Sequence, residues 1–511
     1  MKQVIYLSLA FLAITGCRKI EMDGEKEIFV VTKEVAPVGV VSNTINLSGK
    51  ITKDTTLYAK DVNYLSGIVY ITKGVTLTIQ AGAKVLAKSS GAEVASLVIC
   101  RGAKIVAKGT PEAPIVFTSA ALNPQSGDWG GVVLLGTATV NQTLTWKSVA
   151  VKGLTSVEGG INDTEVGYGL AGSGDAAFPT GNDADNSGIL QYARIEYAGY
   201  AYQPDNELNS LTMAGVGNGT TIDHIQVTYA KDDAFEWFGG TVNCKYLIAY
   251  KTQDDDFDTD FGYSGKVQFG IVLRDSAIAD ISQSQAFESD NDGPGSNNTP
   301  KTTAVFSNIT AIGPRIDPIS GRGNTLYRGA VHIRRNSGIS IQNSIFAGWP
   351  VGIEIDDSRV ATDGATYKNL VDSVIRLKNI TLAGNTTNLR YSFKSGGTNY
   401  TTDFTNIFNN PANGNTILTL STPDILKLIQ PFNYTNPDFT PYASAGPATS
   451  GNLSSAFGTL GLNTSLDYKI NGSFTDTKLQ DPFFEKVTFR GAVATSGINQ
   501  TWWKGWTKFN Y

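Results

Sequence analysis

Three copies of one acidic pattern lie between Lys231 and Asp292. They read DDAFEWFGG from Asp232 to Gly240, DDDFDTDFG from Asp254 to Gly262, and QAFESDNDG from Gln285 to Gly293. Phe235, Phe257 and Phe287 share one column. Glu236, Asp258 and Glu288 share the next, and Phe238, Asp260 and Asp290 share the column two places on. The copies are 22 and then 30 residues apart. A period in the twenties that fixes one apolar position marks a solenoid. A single turn cannot bury its own apolar face, so turns must stack. The spacing predicts an all-β chain wound as a parallel β-helix, with carboxylates stacked along one side.

The rest of the chain agrees with that reading. Val69–Ala87 (VYITKGVTLTIQAGAKVLA) and Leu97–Gly109 (LVICRGAKIVAKG) alternate apolar and polar residues around glycine turns, as strands with one inward face do. Stacking resumes at Asp185–Ala198, Thr221–Ala230, Thr241–Tyr250 and Lys266–Asp275, then at Ala304–Gly313, Ser340–Gly348 and Ile375–Gly384. Asn308, Asn343 and Asn379 fall at equivalent places. They suit corners, because Asn tolerates left-handed backbone and can bond its copy one rung away. The β-helix is expected over 41–440. A Gly-, Asn- and Asp-rich stretch near 121–188 interrupts it and reads as an excursion. A short helix is expected at Thr422–Ile429. Residues 441–511 read as a C-terminal cap, with Trp502, Trp503 and Trp506 covering the last rung's apolar face.

The N-terminus reads as an export signal. Lys2 precedes an apolar run from Val4 to Ile14, and Thr15-Gly16-Cys17 follows. The run is too short to span a bilayer, so residues 1–16 are expected to be a signal peptide. The ITGC ending resembles a bacterial lipobox, which implies lipidation of Cys17 and a membrane anchor without a spanning segment. Residues 17–40 then form a tether. Cys100 and Cys244 should lie several rungs apart, beyond bridging distance, as buried unpaired thiols. A net charge of −5, with no basic stripe, argues against a nucleic-acid partner.

The acidic side carries the functional candidates. With the phenylalanines inward, Glu236, Asp258, Glu288, Asp260 and Asp290 point outward, with like charges about 4.8 Å apart between rungs. Protonation, arginine or a hard cation must compensate. Arg334 and Arg335, in HIRRN, are candidate partners of Asp290 or Glu288. Ca²⁺ is the candidate cation, because it favours 6–8 oxygen ligands. Its expected ligands are Asp254, Asp255, Asp258, Asp260, Glu288, Asp290 and Asp292. Glu236, Trp237, Tyr263, Tyr327 and Arg335 are expected to present an acidic and aromatic face to a glycan or protein. The alternative is a Ca²⁺-dependent polysaccharide lyase or glycoside hydrolase acting on acidic polysaccharide. Asp232, Asp233 and Asp258 would then be acid and base candidates, and Arg334, Lys231 or Lys251 would be the base. His224 and His332, in strand-like settings, read as core or edge residues.

Several segments together resemble a family of secreted β-helix proteins of the Bacteroidetes, many of them lipoproteins. These are TLTIQAGAKV, GTPEAPIVFTS, GDWGGVVLLG, DNSGILQYARIEYAG, the run from Asn206 to Tyr250, DDDFDTDFGYSGKVQFG, FESDND, HIRRN and the terminal FRGAV and GWTKF. RKIEMDGEKE, directly after Cys17, also resembles the export signals of surface lipoproteins in that group. The resemblance implies a right-handed parallel β-helix anchored at the outer membrane. It favours display at the cell surface and leaves a periplasmic orientation open. It implies a fold rather than a chemistry.

Overall fold

The computed structural model describes residues 42–161, 166–203, 206–314, 323–418, 428–430, 434–441, 472–494 and 496–511. The signal peptide, Cys17 and the tether fall outside the described residues. So does most of the helix expected at Thr422–Ile429, of which Leu428–Gln430 is a strand. Among the described residues no helix is long and apolar enough to cross a membrane.

From Ser42 onward the chain coils into three parallel ladders, joined in one 26-stranded sheet. Ladder one runs from Thr55–Leu57 through Thr76–Ile79 and Lys104–Lys108 to Leu377–Lys378. Ladder two runs from the first half of Thr44–Ile51 to Thr416–Leu418. Ladder three runs from the second half of Thr44–Ile51 to Thr387–Phe393. Alternation decides which side chains enter. In Thr76–Ile79, Leu77 and Ile79 are buried and the threonines between them face out. In ladder three the inward column is Phe235, Phe257, Phe287, Val331, Ile353 and Leu389. Ring centroids of the first three are 5.7 and 5.1 Å apart. The fold class expected from the 22-residue step is the one observed.

The corner between ladders one and two costs backbone strain at seven successive turns. Tyr192, His224, Tyr246, Phe269, Asn308, Asn343 and Asn379 all have φ between 47° and 64° there. A left-handed L-residue costs roughly 1–2 kcal/mol. Stacking offsets part of this: Tyr192–His224, His224–Tyr246 and Tyr246–Phe269 lie 4.2, 4.3 and 5.0 Å apart, each pair worth about 1 kcal/mol. The three asparagines do occupy corners, but they do not pair with their own copies. Asn308 Nδ2 donates to the Phe489 carbonyl, and Asn343 Nδ2 to that of Ser473.

Those contacts reveal how the C-terminal segment is used. It covers apolar surface, and it does so along the side of the helix, against the outward residues of ladder two. Trp502, Trp503, Trp506 and Phe509 cluster with Ile248, Tyr250, Ile271 and Leu273. Side-chain amides clamp the backbone of this strap. Gln226 brackets Lys508, Gln268 brackets Glu485, and Asn343 brackets Ser473, each accepting an N–H and donating to a carbonyl. The last turn's core is instead covered by the helix Thr401–Phe408, which buries Phe404 and Phe408. Cys100 and Cys244 are buried and free.

The stretch near 121–188 is only partly an excursion, since Val132–Leu135 is a rung of ladder three. The chain then leaves the helix and forms two hairpins, Thr143–Trp146 with Val149–Lys152 and Leu154–Ser156 with Leu170–Gly172. Val157, Ile161 and Ala171 pack on the outward residues Val98, Val133, Ala214 and Phe238 of ladder three. The excursion therefore ends where the acidic repeats begin.

Candidate functional site

One outward column of ladder three passes through Tyr70, Val98, Val133, Thr212, Glu236, Asp258, Glu288, His332, Glu354 and Arg390. Its composition divides the wall into three zones. The first is apolar and lies under the excursion. The second is acidic, and the third mixes both signs of charge.

The acidic zone holds Asp232, Asp233, Glu236, Asp254, Asp255, Asp258 and Asp260. Oxygens of Asp233, Glu236 and Asp258 lie within 4.8 Å of one another, as do those of Asp232, Asp233 and Asp254. Asp255, Asp258 and Glu288 form a third such group. No arginine or lysine forms an ion pair with these seven among the described residues. Burial, and then repulsion from neighbouring carboxylates, pushes Asp232, Asp233, Glu236, Asp255, Asp258 and Asp260 well above the ordinary range. Burial likewise lifts Asp254 to about 7.

Two of these side chains have a structural task. Asn209 Oδ1 accepts the N–H of Asp233, Asp233 Oδ1 that of Asp255, and Asp255 Oδ1 that of Gln285. This Asn–Asp–Asp ladder fixes the corner that leads into ladder three. It leaves the second oxygen of Asp233 outside the ladder, while Asp255 Oδ2 also accepts Gln285 Nε2 at 3.3 Å. Thr212 Oγ1, Asp258 Oδ1 and Gln285 Oε1 are buried there without a hydrogen-bond partner. Such groups cost about 1–3 kcal/mol each if they stay unfilled.

The mixed zone is balanced. Arg334 grips Asp290 through Nε and Nη2 at 2.8 and 3.0 Å and also pairs with Glu288. Arg335 Nη1 meets Asp290 at 2.7 Å. Arg328 forks onto Glu354, with both contacts at 2.9 Å, and Arg390 and Ser392 bind the same carboxylate. His332 Nε2 lies 2.9 Å from Asp356 Oδ2. Burial alone would raise Glu354, but the bonds from Arg328 and Arg390 and the field of His332 bring it down to about 2. Glu288 and Asp356 are lowered in the same way. In Asp290 burial still outweighs the arginines and the carboxyl is raised.

A cleft of ≈ 380 Å³ opens at the boundary between the excursion and the acidic zone. Thr155, Ser156, Val157, Glu158 and Gly160 form one side, and Phe238 and Phe261 the other. The two rings lie 5.2 Å apart.

A family model described as the pectate-lyase-like beta helix domain matches residues 49–421. The chain belongs to the pectate-lyase-like β-helix family. No curated protein matches it. Among solved structures, the Dettilon tailspike protein (gp208) is similar at 10% identity and a TM-score of 0.23. That match covers 68% of this chain and 61% of the tailspike.

On this β-helix three expected ligand-binding residues prove to be core. Trp237 and Tyr263 are fully buried and stack at 5.3 Å inside the coil. The reason is parity: Trp237 stands two places from inward Phe235. Tyr327 is 3% exposed, and its hydroxyl donates to the Asp275 carbonyl at 2.7 Å. Glu236 does sit on the wall, held by Asn209 Nδ2. Arg335 sits there too, engaged with Asp290. Of the expected metal ligands, Asp292 is turned away to close a local loop, with Oδ1 accepting the Ser296 N–H at 2.7 Å. Asp290 is taken by arginines. Asp254, Asp255, Asp258, Asp260 and Glu288 remain on the acidic zone or at its edge. His332 is buried among carboxylates of the wall rather than in apolar core, and His224 belongs to the corner stack. The structure adds Glu158, Phe261, Thr212, Asn209, Arg328, Glu354, Asp356 and Arg390. Multiples of the 22-residue step from Glu288 reach His332 and Glu354 but not Arg390, which lies 36 residues beyond Glu354. Nothing periodic marks Glu158.

Proposed function

We propose that the chain is a cell-surface protein, lipid-anchored through Cys17 at the outer membrane, that binds a glycan on ladder three. The observation that supports this is the acidic zone itself. Among the described residues seven carboxylates lack basic partners and acceptor atoms stand unfilled, and a cleft with an aromatic wall opens beside them. A site built this way takes its positive charge from outside the chain. Ca²⁺ fits the donor set: Asp233, Glu236 and Asp258, with Asp255 and Glu288 sharing Asp258, offer only oxygen. Gln285 Oε1, on a side chain 2% exposed, adds a neutral ligand. The cleft is at the small end of ligand pockets, which span about 300–1,000 Å³. It suits one or two sugar rings rather than a protein face, whose burial runs to roughly 800 Å² per partner.

Two of the three bases expected for the lyase alternative are engaged by carboxylates. Arg334 is held by Glu288 and Asp290, which push its guanidinium pKa further up despite burial. Lys251 sits on another corner, 3.2 Å from Asp275. The test is calorimetric titration of Ca²⁺ into chelator-treated full-length protein, followed by a glycan array with and without the ion. Binding without turnover is expected. No Ca²⁺ heat and no glycan retained would overturn the reading, and unsaturated product from a uronate polysaccharide would replace it with the lyase.

A further inference from the structure

The cleft at Phe238 and Phe261 carries more than its position. Register places Gly239 and Phe261 at the same corner on successive rungs, directly after Phe238 and Asp260. Both positions are left-handed, with φ of 68° and 53°. Glycine adopts that backbone freely, whereas a bulky side chain is strained in it. Phe261 keeps a ring at a place where the preceding rung dispenses with one. Strain of this kind is held where the side chain has work to do. Here the ring lies 5.2 Å from Phe238, tilted by 35°, and the pair walls the cleft.

The charges around this wall have one sign. Glu158 lies on the opposite side of the cleft and is exposed. Asp260 is the register partner of Phe238 and precedes Phe261. Glu236 stands two residues before Phe238, close enough to Glu158 for the two to repel. Among the described residues no lysine or arginine lines the cleft. A uronate carboxylate entering it would meet the Glu158 carboxyl and two aromatic faces, with Glu236 and Asp260 behind them. An ammonium group would meet opposite charge and two aromatic faces, a setting that favours cations within about 6 Å of a ring.

We infer that the cleft is a subsite for a cationic sugar ring, of the 2-amino-2-deoxypyranose class. The ring's C–H face would lie on Phe238 and Phe261, with its ammonium directed to Glu158 and Asp260. This rests on the glycan-binding reading and adds the class of sugar to it.

Full-length protein, held in chelator, is titrated calorimetrically with the glucosamine tetramer, its N-acetylated counterpart and tetragalacturonate. The glucosamine tetramer should bind at least about 10-fold tighter than the acetylated one, since acetylation removes the charge and its cation–π contact. Phe261→Leu should weaken it on the order of 10-fold. Glu158→Gln, an exposed change that spares the fold, should weaken it about 3-fold. Equal affinity for both tetramers, or unchanged affinity in both variants, overturns the inference. If only tetragalacturonate binds, and only with Ca²⁺ restored, the inference falls and the glycan reading stands. If no glycan binds in either condition, both fall.

Discussion

Two neighbouring stretches of one wall have solved the same electrostatic problem in opposite ways. From Tyr327–Arg334 to Thr387–Phe393, Glu354 and Asp356 are matched by guanidinium or imidazole groups of the adjoining rungs, Arg328 and His332 before them and Arg390 after, while Asp357 is held by backbone N–H groups and the Tyr391 hydroxyl. From Phe235–Phe238 to Phe257–Asp260, on the same ladder and with the same outward column, no such partner appears among the described residues. The rung spacing is common to both, so geometry does not explain the difference. What differs is the residue one rung further on. Glu288 is followed by His332 and Glu354 by Arg390, while Glu236 is followed by Asp258. The mixed zone balances its charge with basic side chains, and the acidic zone instead holds carboxyls raised well above their ordinary range.

The sharpest way to break the contrast is to remove charge from the balanced side. Arg334→Met leaves Glu288 without one partner and strips Asp290 of its bidentate clamp. Breaking one side of a buried ion pair costs roughly 3–5 kcal/mol. Denaturant unfolding at neutral pH should show a loss of that size. A loss under 1 kcal/mol would mean that the mixed zone is as uncompensated as its neighbour.

The two zones should also respond to pH with opposite signs. A carboxyl whose folded pKa is raised keeps its proton after the unfolded chain has released one. Its contribution is full below the ordinary value near 4 and is lost as pH rises through the folded value, about 7 for Asp254. Glu354, brought down to about 2, behaves in reverse: its contribution is present above about 4 and is lost as pH falls toward 2. Without added metal, stability should peak near pH 5 and fall by about 2–4 kcal/mol toward pH 8. Saturating Ca²⁺ should flatten the alkaline limb and leave the acid limb unchanged. An alkaline limb that is flat without metal would remove the case for uncompensated charge.

The same distinction shows what could be read from the chain beforehand. The three-fold alignment of Phe235, Phe257 and Phe287 carried the fold and the stacking of Glu236, Asp258 and Glu288, because register in a β-helix is one rung per repeat. The alternation that places Glu236 outside also places Trp237 inside. Only its place within an acidic motif makes this aromatic read as outward. The mixed zone was half legible: Arg334 and Arg335 were matched to Asp290 and Glu288, while Arg328 and Arg390 lie beyond the last obvious repeat. The strap was hidden because Gln226 and Gln268 meet Lys508 and Glu485 across more than two hundred residues with no shared period. Glu158 was hidden for the same reason, since it arrives on an excursion that follows no rung.

A smaller substitution works on the acidic side. Asp258→Asn keeps the shape and removes the charge shared by two oxygen clusters. In chelator at pH 8 the variant should be more stable by about 1–2 kcal/mol, the opposite sign from Arg334→Met on the same wall. It should also lose most of the Ca²⁺ heat. Destabilisation in chelator would show that Asp258 is satisfied within the fold.

The smallest expected effect tests whether strain at the edge of the acidic zone is kept for a ligand. Phe261→Gly restores the residue that stands at the same corner one rung earlier. It relieves a left-handed backbone, worth roughly 1 kcal/mol, and gives up ring contact with Phe238, worth about the same. The melting temperature should therefore move by no more than about 2 °C. Affinity for whatever occupies the cleft should fall with the lost aromatic wall. If the variant melts several degrees lower, Phe261 is there for packing. If stability holds and binding drops, the ring is retained for the cleft, and the acidic end of the wall is a site in the sense that its balanced neighbour is not.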